Sequence, residues 1–288
     1  CPFCQAPQRL EVHSQKITRG VFSNPSDVLS WILAINLVLY VGGIVLAPSD
    51  ALSFSRGLFG FGASAHEVSK ALGMTSGPLL KNGQIWTLVT ASFLHGSILH
   101  IYFNMDALRN IGQATVAYIG PARFLIAYIL TGIGGFLASD ILGGIPWFSA
   151  PSSTWQYYLF RGSNTLGASA SLFGILGVLF VFATRRGGQI GAALQAILRK
   201  WIFIGLLIGF LVPIFNNTAH IGGLIIGMLL GFFYPRQEGV AESGTTQLIA
   251  LLLLGLVFVS FLIQISGQLG FFDGLSDINQ IKHSLPIQ

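Results

Sequence analysis

The chain has 288 residues, of which 52% are hydrophobic and only 9% charged, where a soluble domain carries roughly a quarter charged residues. That deficit excludes an ordinary soluble globular domain and places the protein in a membrane. The net charge of +5 comes without a basic run, so no nucleic-acid partner is implied, and two cysteines provide no disulfide framework.

The polar segment 1–26 comes first and opens on CPFC. Cys1 and Cys4 form a single CxxC knuckle, whereas a four-ligand zinc site needs a second pair. The segment is therefore expected to be a cytoplasmic stretch holding part of a truncated zinc ribbon. A removable signal peptide is not expected, because the polar stretch precedes the first apolar run and no small-residue cleavage site follows it. At about 20 residues per crossing, membrane spans are predicted near 27–47, 97–117, 123–142, 168–184, 199–215, 218–234 and 246–266. All are read as helices, since lipid leaves the backbone to satisfy its own hydrogen bonds. The segment 48–96 is too mixed to span, and its aromatics suit the headgroup interface. A second connection, 143–166, is expected to form a rim, and the tail after 267 a loose end.

Basic residues accumulate on the cytoplasmic side of short loops. With the N-terminus inside, the inner segments collect Arg9, Lys16, Arg19, Arg123, Arg185, Arg186, Arg199, Lys200 and Arg236, while Arg56, Lys70, Lys81, Arg161 and Lys282 lie outside. Arg109, near the end of the second span, is left uncounted. The imbalance favours a cytoplasmic N-terminus.

Polar groups inside a span are costly and mark functional candidates. FLHGSILHIYFNM supplies His95, His100 and Asn104, GASAS supplies Ser169 and Ser171, and FNNTAHIGG supplies His220. On this topology all lie toward the outer ends of three separate helices. His100 and Asn104 are four apart and share a face, where both can donate to one point or simply join helices. Gly223, Gly227 and Gly231 follow His220 on one face, and Gly167, Ala170, Gly174 and Gly177 line the fourth span. Small residues at this period permit close approach of two helices, and their meeting would bring His220 level with Ser169. A serine hydroxyl needs a hydrogen-bonded base, and attack on a carbonyl needs donors for the oxyanion. His220 fits the base; His100, Asn104 and the backbone N–H of Ser169 fit the donors. Asp106 and Asp140 are read as lying at other levels, which leaves a Ser–His dyad. Ser171, about 200° from Ser169 around the helix, is assigned capping or packing, and His95 a structural role. Ser64, in the earlier GASA, is read as part of a loop turn. A metal-binding transporter built on His95, His100 and His220 is a rival reading, since three imidazoles can ligate zinc, but the five-residue spacing suits a shared ligand poorly.

GQIWTLVTASFLHGSILHIYFNM, GPARFLIAYILTGIGG, GASASLFGILG and AHIGGLIIGMLLGFF, in this order over roughly 72–235, resemble the rhomboid family of intramembrane serine proteases. The resemblance implies an all-α, polytopic membrane helix bundle: a six-helix core over 27–235, with 236–288 adding a linker, a seventh transmembrane helix and a tail. It implies that Ser169 is the nucleophile, His220 the base, and His100 and Asn104 the oxyanion pair, with Phe173 packing near the base. No cofactor or metal is implied. The expected partners are the lipid bilayer and single-pass or polytopic membrane protein substrates, cut in or next to a transmembrane helix. The expected site is a bacterial plasma membrane. The segment 211–218, with Pro213 and Phe215, is the expected cover of the site. Three departures stand out: Ala170 replaces the usual glycine after the nucleophile, Trp86-Thr87 replaces a frequent Trp-Arg pair, and a frequent glutamate is missing around Val116–Ala117. Ala170 leaves open a second function, a catalytically silent rhomboid-like protein that binds membrane clients.

Overall fold

The computed structural model describes residues 22, 24–51, 61–63, 65–143, 164–212 and 215–269. Among the described residues seven long helices carry the fold: α1 (Pro25–Leu46), α6 (Ile98–Ile119), α7 (Pro121–Gly143), α8 (Ser169–Arg186), α9 (Gly188–Leu211), α10 (Asn217–Phe233) and α11 (Gly244–Gln268). The described part of the long connection before α6 holds the short helices α2 (Pro48–Ala51), α3 (His66–Ala71), α4 (Gly77–Lys81) and α5 (Thr87–Thr90), and a 3₁₀ turn at Ala91–Phe93 follows α5. The expected bundle of membrane helices is thus present, and the protein is a multi-pass integral membrane protein. Among the described residues five helices, α1, α7, α8, α9 and α11, are long and apolar enough to cross a bilayer. Helix α10 is apolar but shorter, and α6 is diluted by Asp106, Arg109, Asn110 and Gln113.

Local chemistry sets the helix starts. Asn24, Ser97, Asn216 and Ser243 are N-caps whose side chains accept a backbone N–H of the first turn, satisfying a donor that has no carbonyl behind it. Proline opens α1 and α7, where its missing N–H costs nothing. Gly120, Gly187 and Gly188 adopt positive φ and let the chain reverse between α6 and α7 and between α8 and α9. The fifth span corrects the expectation: it begins at Gly188, not 199. The chain reverses at the glycine pair, and the stretch before Arg199 and Lys200, read as loop, is a helical extension.

The bundle is built around α8 and α7, whose most apolar stretches are 72% and 61% buried, against 11% for α9 and 22% for α11. Along α8 and α10 the backbones touch. A Cβ on Gly223 would run into the Ala170 carbonyl, one on Gly227 into the Gly174 carbonyl, and one on Gly231 into Val181. The two small-residue faces therefore meet. Gly167 is the exception: it precedes α8 with φ +127° and lies against the His100 ring instead.

The end of the bundle carrying His95, Thr165 and Asn216, called here the upper end, is tied together by polar side chains. Thr75 Oγ1 donates to Asp140 Oδ2 at 3.2 Å, and Thr75 and Thr165 exchange backbone hydrogen bonds of 3.1 and 2.8 Å. Asp140 therefore sits at the same end as the candidate site, a correction to its expected level, since α7 rises to finish there. At the lower end Arg185 caps α10 by donating to the carbonyls of Gly231, Phe232 and Tyr234, and Arg186 pairs with Glu238. Glu242 accepts the N–H groups of Ala122 and Arg123 at 3.1 and 2.7 Å. Burial raises its pKa while these N–H bonds act in the opposite direction.

Candidate active site

Ser169 is the first residue of α8 and His220 lies in the first turn of α10. The close approach of the two helices brings Ser169 Oγ within 2.8 Å of His220 Nε2. Phe173, one turn below the serine, lies flat on the His220 ring with centroids 4.4 Å apart and planes 8° from parallel, which fixes the imidazole plane. With Nε2 accepting from the hydroxyl, the ring proton resides on Nδ1. That atom is buried and has no partner among the described residues, so none of their carboxylates orients the imidazole.

His100 and Asn104 occupy successive turns of α6. His100 Nδ1 accepts the Gly96 N–H at 3.4 Å, so neutral imidazole carries its proton on Nε2. Nε2 is buried without a partner among the described residues, and it borders the space beside Gly167: a Cβ placed there would lie 2.7 Å from His100 Nε2 and 3.8 Å from Ser169 Oγ. An unspent donor and the hydroxyl thus flank one small volume that only glycine leaves open. Asn104 donates one amide N–H to the His100 carbonyl at 3.0 Å and retains a second. The Ala170 methyl abuts Gly135 of α7, where an added Cβ would lie 2.9 Å away; it points away from this volume. Phe215 meets the His100 ring edge-on with centroids 5.9 Å apart, while Pro213 lies outside the described residues.

The other candidates separate from this group. Ser171 is fully buried, and its Oγ crowds Gly132 of α7 together with Ser92 Oγ, so it faces another helix. His95 is buried against His100, centroids 5.0 Å apart, and neither of its ring nitrogens has a partner among the described residues. Ser64, read as part of a loop turn, lies outside the described residues, as do Cys1 and Cys4; the short helix α3 begins two residues after it, at His66.

Two positioning groups were not singled out by the sequence reading. Asn216 caps α10 through its Oδ1, while its amide donates to Ser139 Oγ at 2.6 Å and Thr165 Oγ1 at 2.9 Å. Asn216 and Thr165 each stand four residues before a member of the Ser169–His220 pair, so this clip sets their register. Replacing Asn216 by alanine removes the cap and the clip together. A loss of about 1–2 kcal/mol is expected, read as a lower thermal midpoint in detergent. Gln264 of α11 accepts from Trp86 Nε1 at 2.7 Å and donates to the carbonyls of Lys70 and Ala71. Through Trp86 it holds the turn ending at Ala91, whose carbonyl accepts the Gly167 N–H at 2.9 Å. Gln264→Leu is expected to cost about 1–3 kcal/mol by stranding the indole N–H, with faster amide exchange confined to residues 66–91. The available sequence signal was an amide inside an otherwise apolar span.

Fold and site together define a polytopic helical membrane protein with a hydrogen-bonded serine–histidine pair between helices, the histidine buried and the serine half-buried. The Rhomboid domain sequence model matches residues 82–237. The chain is 31% identical over 203 residues to the rhomboid protease GluP of Bacillus subtilis, covering 70% of this chain and 36% of that protein. It is 32% identical over 168 residues to RHOMBOID-like protein 5 of Arabidopsis thaliana, covering 57% and 48%, and 30% identical over 160 residues to the rhomboid protease GlpG of Yersinia pestis (strain Pestoides F), covering 54% and 50%. The chain belongs to the rhomboid family. It spans half or less of the length of these three relatives.

Proposed function

We propose that the protein is an intramembrane serine endopeptidase that hydrolyses a peptide bond in or next to a substrate's transmembrane helix through the Ser169–His220 dyad. The observation that carries this is the 2.8 Å contact between Ser169 Oγ and His220 Nε2, with the free Nε2 donor of His100 bordering the same volume. Ser169 Oγ attacks the carbonyl carbon as His220 takes the hydroxyl proton. The oxyanion is held by His100 Nε2–H, the Ser169 N–H and the spare amide N–H of Asn104. Collapse breaks the C–N bond, and the leaving amine takes the proton from His220. Water then attacks the acyl-enzyme with His220 again as base, freeing the acid and restoring Ser169.

Phe215 and its neighbours in 211–218 act as the cover, lifting to admit a substrate segment and closing to exclude lipid. Substrates are membrane proteins whose helices unwind locally at the cut. The N-terminus lies on the cytoplasmic side, consistent with Arg185 and Arg186 at the lower end, in a bacterial plasma membrane. The unit 27–235 is the catalytic core, 1–26 an N-terminal segment and 236–288 an appended helix with its linker and tail. The silent, client-binding alternative draws its support from Ala170; the contact of that methyl with Gly135 of α7 supports the catalytic reading. The test is a reconstituted cleavage assay on a transmembrane model substrate in proteoliposomes. A single cut in or beside the span by the wild type supports the reading; an intact substrate with well-folded protein contradicts it.

A further inference from the structure

Helix α6 carries a feature that the catalytic reading does not use. Asp106, Arg109, Asn110 and Gln113 follow one another at spacings of three, one and three residues and are all exposed, forming one stripe. At 1.5 Å per residue they lie about 12 to 23 Å below the start of a helix about 33 Å long, the middle of a helix that packs against the apolar spans α1 and α7. Within the chain, Asn110 Nδ2 donates to the carbonyl and the Oδ1 of Asp106 at 2.9 and 3.1 Å. Arg109 and Gln113 have no side-chain partner among the described residues. A lone arginine can snorkel toward a headgroup; a short aspartate with two amides on the same line cannot. Ionisable groups at this depth normally face protein.

The geometry points to a second copy of this chain as the partner that covers the stripe, in a two-fold dimer with α6 packed against α6. The stripe carries one negative and one positive group and is complementary to itself. In a parallel pair about an axis normal to the membrane, Asp106 meets Arg109 of the partner subunit, about 4.5 Å along the axis, and the symmetry makes the pair twice. Asn110 and Gln113 then hydrogen-bond across the interface to the same residues of the second copy, as amides do between membrane helices. A substrate helix does not fit this surface. Asp106 is two residues beyond the buried Asn104, about 200° around α6, so a helix seated here lies on the far side from Ser169.

Disulfide trapping in proteoliposomes tests the proposal, using a Cys1→Ser/Cys4→Ser background that removes the two native cysteines. Under mild oxidation Gln113→Cys is expected to give a cross-linked dimer. Phe203→Cys, on the 66% exposed outer face of α9, is expected to give at least tenfold less. In the native-cysteine protein, Asp106→Leu/Arg109→Leu suits lipid better than the wild type and keeps the monomer insertable; its dimer fraction in nanodiscs is expected to fall at least tenfold. The swap Asp106→Arg/Arg109→Asp, which retains the complementarity, is expected to restore it. Cross-linking at position 113 no stronger than at 203, or a dimer that persists in the double-leucine variant, overturns the proposal.

Discussion

Ser169→Ala is expected to lower cleavage of a reconstituted transmembrane substrate by at least about 10³-fold, and His220→Ala by a similar factor, with the double variant little worse than either. Groups that act as one unit lose activity together because either loss leaves no activated nucleophile. The 2.8 Å contact and the flat Phe173 ring make the pair such a unit. His100→Ala is expected to cost less, on the order of 10²-fold, since one donor of several is lost. Progress curves in proteoliposomes measure these ratios. Single losses that multiply in the double variant would mean the two residues act independently.

Gly227→Val is expected to give the largest loss of stability among single substitutions in the spans. Its Cα faces the Gly174 carbonyl so closely that any Cβ overlaps it, and backbone cannot step aside as a flexible side chain can. Overpacking of this kind costs about 1–3 kcal/mol or more. Because Gly227 lies two turns below His220, the separation also moves the imidazole from Ser169. Gly255→Ala on α11, where nothing lies within 4 Å, is the matched control and is expected to be neutral within about 0.5 kcal/mol. Thermal unfolding in detergent with a parallel cleavage assay reads both effects. Equal midpoints for the two variants would contradict the close packing of α8 on α10.

Much of this was legible in the sequence because the bilayer imposes few solutions. Span positions follow from hydropathy, and the small-residue faces around Gly174 and Gly227 mark where two helices touch. Other features needed coordinates. The stretch before Arg199 and Lys200 reads as loop because charge interrupts the apolar run, yet the helix begins eleven residues before Arg199, where a glycine pair turns the chain. Gly167 fits the helical period but stands outside the helix against His100. The family's arginine after Trp86 and its glutamate near Val116–Ala117 are missing from the sequence. In the structure Gln264 anchors Trp86 from α11, and Glu242 places a carboxylate at the lower end of α6 beside Gly120. Both partners are more than 100 residues away in sequence, a distance that no local pattern spans.

Covalent labelling by a fluorophosphonate probe tests the activated serine most directly. The wild type in membranes is expected to take up one equivalent, located by peptide mass analysis on Ser169, with labelling abolished in Ser169→Ala and strongly slowed in His220→Ala. Labelling that survives in Ser169→Ala, or none at all in a folded wild-type protein, would contradict the dyad.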